Sequence, residues 1–168
     1  MKKLYISCIF FLLSCGSLTK EFNKIPIEKR KIYLENFTNQ TFEPYVHQEM
    51  YETIREKIHL RGSLILVRDR KESSYSISTS LILFRREGLL YDNEFQPNFY
   101  QIDAIIEIRI FNKENFLIQK KEIYDSVRYS TKEGFFETDL FARRRLYDRF
   151  AYKIISSIEQ SLYEENQK

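Results

Sequence analysis

The sequence predicts an α+β fold, a two-layer sandwich in which two helices cover one face of a mostly antiparallel sheet of four to five strands. Three observations carry this. Residues 99–111 alternate strictly, with Tyr100, Ile102, Ala104, Ile106, Ile108 and Ile110 on one face and Gln101, Asp103, Ile105, Glu107 and Arg109 on the other. That is the pattern of a half-buried antiparallel strand. Val46, Met50, Ile54 and Ile58 recur at helical spacing near the start of the chain, and a longer apolar stripe runs from Leu140 to Leu162 near its end. Only 4 Gly and 3 Pro occur in 168 residues, which favours long regular elements.

The elements follow in the order β-α-β-β-β-β-α. Lys2 and Lys3 precede about ten apolar residues, LYISCIFFLL, too few for a membrane-spanning helix but suited to a signal-peptide core. The motif LLSCGS then resembles a lipobox, so residues 1–14 are expected to be a signal peptide and Cys15 the lipidated residue. Cys8 would leave with the signal and Cys15 would become a thioether, leaving no thiol for a disulfide, a metal site or a nucleophile. Residues 15–30 are polar and aperiodic and are expected to form a tether, with a single domain over 31–168. Three acyl chains would anchor the protein firmly. Gly16 after the cysteine favours an outer-membrane address.

KIYLENF (31–37) alternates as a short strand, placing Ile32, Leu34 and Asn36 opposite Tyr33, Glu35 and Phe37, and TNQT breaks it. Glu43 and Pro44 carry helix-start chemistry, and Gly62, after His59 and Arg61, closes that helix. SLILV (63–67) reads as a strand and RDRKESS (68–74) as a charged turn. YSISTSLILFRREGLLY (75–91) is a long strand with Ile77, Thr79, Leu81 and Leu83 on one face. DNEFQPN turns the chain into the strand at 99–111, and NKEN (112–115) turns it into a less regular one over 116–130. Thr138 or Asp139 caps the last helix, which runs to about Glu165.

The formal net charge is +3, and it falls to +1 without Lys2 and Lys3. Such a balance does not suit bulk nucleic-acid binding, and 43% hydrophobic residues do not suit disorder. His47 and His59 stand about 18 Å apart along one helix, too far to share a metal. With no Gly-rich phosphate loop, nucleophile elbow or close acid–base set in the sequence, neither an enzyme nor a cofactor is expected.

The phrase from Phe37 through Asn39, Thr41 and Glu43 to Pro44, of the form F-x-N-x-T-x-E-P between an apolar strand and a helix, resembles the lipopolysaccharide-assembly lipoprotein family (LptE-type). The closing RRRLYDRFAYKIISSIEQSL is similar to that family's last helix. The resemblance, with the lipobox, covers nearly the whole mature chain. It implies a plug inside the large outer-membrane β-barrel of the lipopolysaccharide translocon (LptD-type), with lipopolysaccharide itself as a further contact; the alternative is a periplasm-facing or surface lipoprotein that binds a different envelope complex or ligand. It also implies basic side chains near the long hairpin and near the start of the last helix as lipopolysaccharide contacts. Arg85, Arg86 and Lys132 are the candidates here, because guanidinium forks suit phosphates. The hairpin loop departs from the pattern, reading Asp92-Asn93-Glu94. Arg143, Arg144, Arg145 and Arg149 are expected on a solvated or partner-facing side of the last helix, and Lys120 and Lys121 at the sheet.

Overall fold

A computed structural model describes residues 25–130 and 137–167. Among these residues are six strands and two α-helices, besides two 3-10 turns: β1 (Lys31–Leu34), β2 (Thr38–Asn39), α1 (Val46–Arg61), β3 (Ile65–Leu66), β4 (Tyr75–Tyr91), β5 (Pro97–Asn112), β6 (Leu117–Tyr129) and α2 (Asp139–Asn166). The sheet order is β3-β1-β4-β5-β6, with β2 also paired to β4. The long pairs, β4 with β5 and β5 with β6, are antiparallel. The short strands β1, β2 and β3 pair in parallel, because α1 is a crossover that returns the chain beside β1 in the direction it left. The expected two-layer α+β sandwich is therefore what forms, with a mixed rather than purely antiparallel sheet. The short pairing of TNQT residues with β4 was not legible beforehand.

One core lies between the sheet and the helices. Val46, Met50, Ile54 and Ile58 from α1, with Leu146, Phe150, Ile154 and Ile158 from α2, are buried against Ile77, Leu81, Ile102, Ile106, Ile108 and Ile110 of the sheet. Each such aliphatic side chain contributes about 1.5–3 kcal/mol on full burial. Gly62 terminates α1 in the left-handed conformation (φ 65°), its N–H donating to the Ile58 carbonyl. Thr138 caps α2, its hydroxyl accepting from the Phe141 N–H.

Several expectations change. Ile25 is buried in the core and residues 27–30 form a 3-10 turn, so the last part of the expected tether belongs to the body. Pro44 lies before α1 rather than in its first turn, and Tyr45 occupies the N-cap with φ 62°. The alternation breaks after Leu34, where β1 ends, and Phe37 is buried while Asn36 is exposed. Leu140 is half-exposed, and Ala142 and Leu146 begin the buried stripe instead. Asp103 and Glu107, on the polar face of β5, are 3% and 6% exposed rather than open to water. Arg85 and the Tyr124 hydroxyl cover the first, and Arg109 and Lys120 cover the second. Lys120 also lowers the Glu107 carboxyl pKa against the upward pull of burial, with Arg109 adding to the effect.

A β-bulge at Ile82 has the largest consequence. Leu81 pairs with Ile106 but Leu83 pairs with Ile105, so one extra residue reverses the facing of everything after it. Leu83 therefore leaves the face of Ile77, Thr79 and Leu81. Phe84 and Arg86 turn toward the helices, and Arg85 turns away.

Candidate functional site

At one end of the sheet, three segments distant in sequence are tied together: the loop before α1, the distal half of the β4–β5 hairpin and the start of α2. The loop is organised by the residues of the N-x-T-x-E phrase. The Asn39 side chain accepts from the Thr41 N–H and hydroxyl and donates to the Glu43 carbonyl at 2.8 Å, an Asx-type turn that fixes where Glu43 points. The Glu43 carboxylate then receives the Arg143 guanidinium at 2.7 Å. Arg143 also pairs with Asp139 one helical turn earlier and lies 5.1 Å over the Phe84 ring. Burial opposes the charge on Arg143, but Glu43 and Asp139 more than offset it, and its pKa is raised.

Asp139 continues the chain of contacts. It accepts from the Tyr129 hydroxyl at 2.7 Å and lies 3.8 Å from Arg86. The Arg86 guanidinium stacks 4.2 Å over Tyr100 and 5.7 Å from Tyr129, whose rings stack on each other at 5.4 Å. Burial first, and then the neighbouring Asp139 carboxylate, push the Tyr129 phenol well above its usual range, so it stays a neutral donor. The ionisable groups of this knot satisfy one another. Among exposed polar groups such as Asn93, Glu94 and Gln96, the end also shows large apolar side chains to the outside: Phe42 is fully exposed, and Tyr45, Leu90, Tyr91, Phe95 and Phe141 are each more than half exposed. The hairpin tip is held in shape by Asp92, whose side chain accepts from the N–H groups of Glu94 and Gln96 at 2.9 Å. Phe95 adopts φ 58°, a conformation a bulky residue enters only where its surroundings impose it. Exposed aromatic side chains held by a rigid frame are the usual substance of protein interfaces.

The structure separates the sequence-predicted cations. Arg85 faces the open side of the sheet, 3.1 Å from Glu87 and 3.5 Å from Asp103, while Arg86 faces the helices. The two cannot close on a single phosphate as a pair, and each already holds a carboxylate. Cys15 and Lys132 lie outside the described residues, as does the expected signal peptide. Of the arginines expected on an open side of the last helix, Arg145 and Arg149 are about half exposed there and also donate to carbonyls of β6, whereas Arg143 is turned into the knot with its side chain 18% exposed. Phe84 and Tyr129, which complete the knot, carry no sequence signal beyond their type, whereas the alternation of β5 already sets Tyr100 on the face toward the helices. The Asp139–Arg143 spacing was the other visible clue.

No protein-family model matches the sequence, and no curated protein is similar to it. Solved structures do share the fold. A hypothetical protein from Chlamydia trachomatis is similar with a TM-score of 0.58 at 11% identity, over 79% of this chain and 96% of that one. Rare lipoprotein B from Shewanella oneidensis is similar at 0.52 and 16% identity, over 82% and 98%. A minor lipoprotein from Acinetobacter baumannii is similar at 0.53 and 13%, over 79% and 94%. The chain thus has a fold also found in bacterial lipoproteins. No helix among the described residues is long and apolar enough to cross a membrane.

Proposed function

We propose that the protein is a lipid-anchored envelope lipoprotein of the lipopolysaccharide-assembly type, held at the outer membrane through Cys15, that binds a large outer-membrane β-barrel. The observation that carries the reading is the aromatic end of the sheet, a cluster of exposed Phe, Tyr and Leu side chains around the ion-paired knot of Arg143 and Arg86. The lipobox and the fold shared with the Shewanella and Acinetobacter lipoproteins support the envelope assignment. Tyr and Phe anchors are suited to protein contact, where their large area is ordered at little entropic cost. Lipopolysaccharide enters as the cargo of the partner. The internal pairing of Arg85 and Arg86 and the acidic Asp92-Asn93-Glu94 turn weigh against a phosphate site at the hairpin.

The test is affinity capture of C-terminally tagged protein from detergent-solubilised outer membranes, with mass spectrometry of the retained material. A stoichiometric β-barrel that resists high salt, and that is lost when Phe95 and Tyr91 are both replaced by Ser, is the expected result. Recovery of a different envelope complex, or a barrel retained at full level by that variant, would overturn the reading. Replacing Cys15 by Ala should release the protein from the membrane fraction with its fold intact.

A further inference from the structure

The free edge of β6 is treated in two different ways along its length. Arg145, Arg149 and Lys153 stand four residues apart on α2 and reach back to successive outward carbonyls. Arg145 donates to the Arg128 carbonyl, Arg149 to that of Ser126 and Lys153 to that of Tyr124. An unpaired strand edge is a template for another strand, and these three side chains close the C-terminal half of it. The closure stops at Tyr124. By the alternation of the strand, the N–H groups of Glu122 and Tyr124 and the carbonyl of Glu122 face the same edge, and no group among the described residues binds them.

Beside this open stretch lies a groove of about 500 Å³ between β6 and α2, lined by Lys121, Ile123, Tyr152, Ser156, Ser157 and Gln160 among others. Ser157 is 4% exposed and its hydroxyl has no hydrogen-bond partner among the described residues, an unusual state for a buried polar group. Lys121 has no carboxylate within ion-pair distance among the described residues, whereas Lys153 is held by Asp125 at 2.9 Å. The groove thus presents unpaired strand edge, an uncompensated cation and the half-exposed ring of Tyr152 above a floor of Ile123 and Ser157.

From this juxtaposition we propose that the groove between β6 and α2 binds an extended acidic segment of a partner protein by strand addition. The segment would pair with Glu122 and place a carboxylate at Lys121. Main-chain bonds supply affinity in this mode and the side-chain pockets supply selectivity. The free Lys121 charge favours an acidic strand over a basic one. The basic clamp from α2 fixes the register by ending the available edge at Tyr124. The site does not share residues with the aromatic end and stands independently of the barrel reading.

The test uses 15N-labelled full-length protein in detergent micelles and the peptide acetyl-Val-Asp-Val-Glu-Val-Thr-amide, with a version in which Lys replaces both acids and a version N-methylated on alternate amides. Amide exchange at Glu122 and Tyr124 should slow by about tenfold or more on adding the acidic peptide, as for newly formed ladder bonds. Neither control peptide should cause this. Lys121→Glu, an exposed change that leaves the fold alone, should weaken binding by about tenfold. Glu122→Pro should abolish it, since proline is tolerated where the strand N–H faces outward. Equal binding of the basic or N-methylated peptide, or no protection at those two amides, would overturn the proposal. So would protection of the same amides by self-association without peptide, which would assign the edge to a second copy of this chain.

Discussion

Arg143→Met isolates what the knot contributes, because methionine keeps the length of the stem while removing the charge. The Arg143 side chain is 18% exposed and makes two charge-assisted hydrogen bonds, to Glu43 and Asp139. Such bonds contribute about 1.5–3 kcal/mol each where both partners are buried. Here the carboxylates are 37% and 33% exposed and regain water once the guanidinium is gone. About 1 kcal/mol for each is therefore the better figure. Loss of the contact over Phe84 adds about 0.5–1 kcal/mol. The variant should be destabilised by about 2–3 kcal/mol, lowering Tm by roughly 6–10 °C for a domain of this size. Urea unfolding followed by circular dichroism measures it. Combining Arg143→Met with Glu43→Gln should give a coupling energy of about 1 kcal/mol. Additivity within about 0.3 kcal/mol, or a single-variant loss below about 0.5 kcal/mol, would show that the loop and the helix are not joined through this side chain.

Two other outcomes follow from the sheet. The Glu107 carboxyl is held below its ordinary pKa, so the stability it contributes is present above the unfolded value of about 4.3 and is lost as pH falls through the folded value. Glu107→Gln should therefore destabilise the protein at pH 7, with the difference from wild type shrinking as pH falls below about 4.5; an equal difference at pH 7 and pH 3 would contradict it. At Gly88, an added Cβ would stand 2.9 Å from the Pro97 Cβ and 2.9 Å from the Tyr91 hydroxyl. Gly88→Ala should cost about 1–3 kcal/mol and loosen the hairpin tip, read as faster amide exchange at Leu89 and Tyr91, and unchanged exchange there would refute the close approach.

Period-two alternation in β5 and the four-residue spacing in α1 made the sandwich and its core legible in the chain. They could do so because both patterns report a one-sided burial that the backbone period alone imposes. The caps at Thr138 and Gly62 were legible for the same local reason. Only the tertiary structure decided which arginine faces the helices. A single extra residue at Ile82 reverses that choice, and a bulge is set by pairing with β5 rather than by composition. The same holds for the parallel pairing of β1, β2 and β3, since two- to four-residue strands have too few side chains to state a partner. It holds as well for the aromatic end, where Glu43, Arg86, Tyr129 and Arg143 meet across up to a hundred residues of chain. Local spacing fixes which face of an element is apolar, whereas contacts between elements depend on register, and register is a property of the assembled sheet.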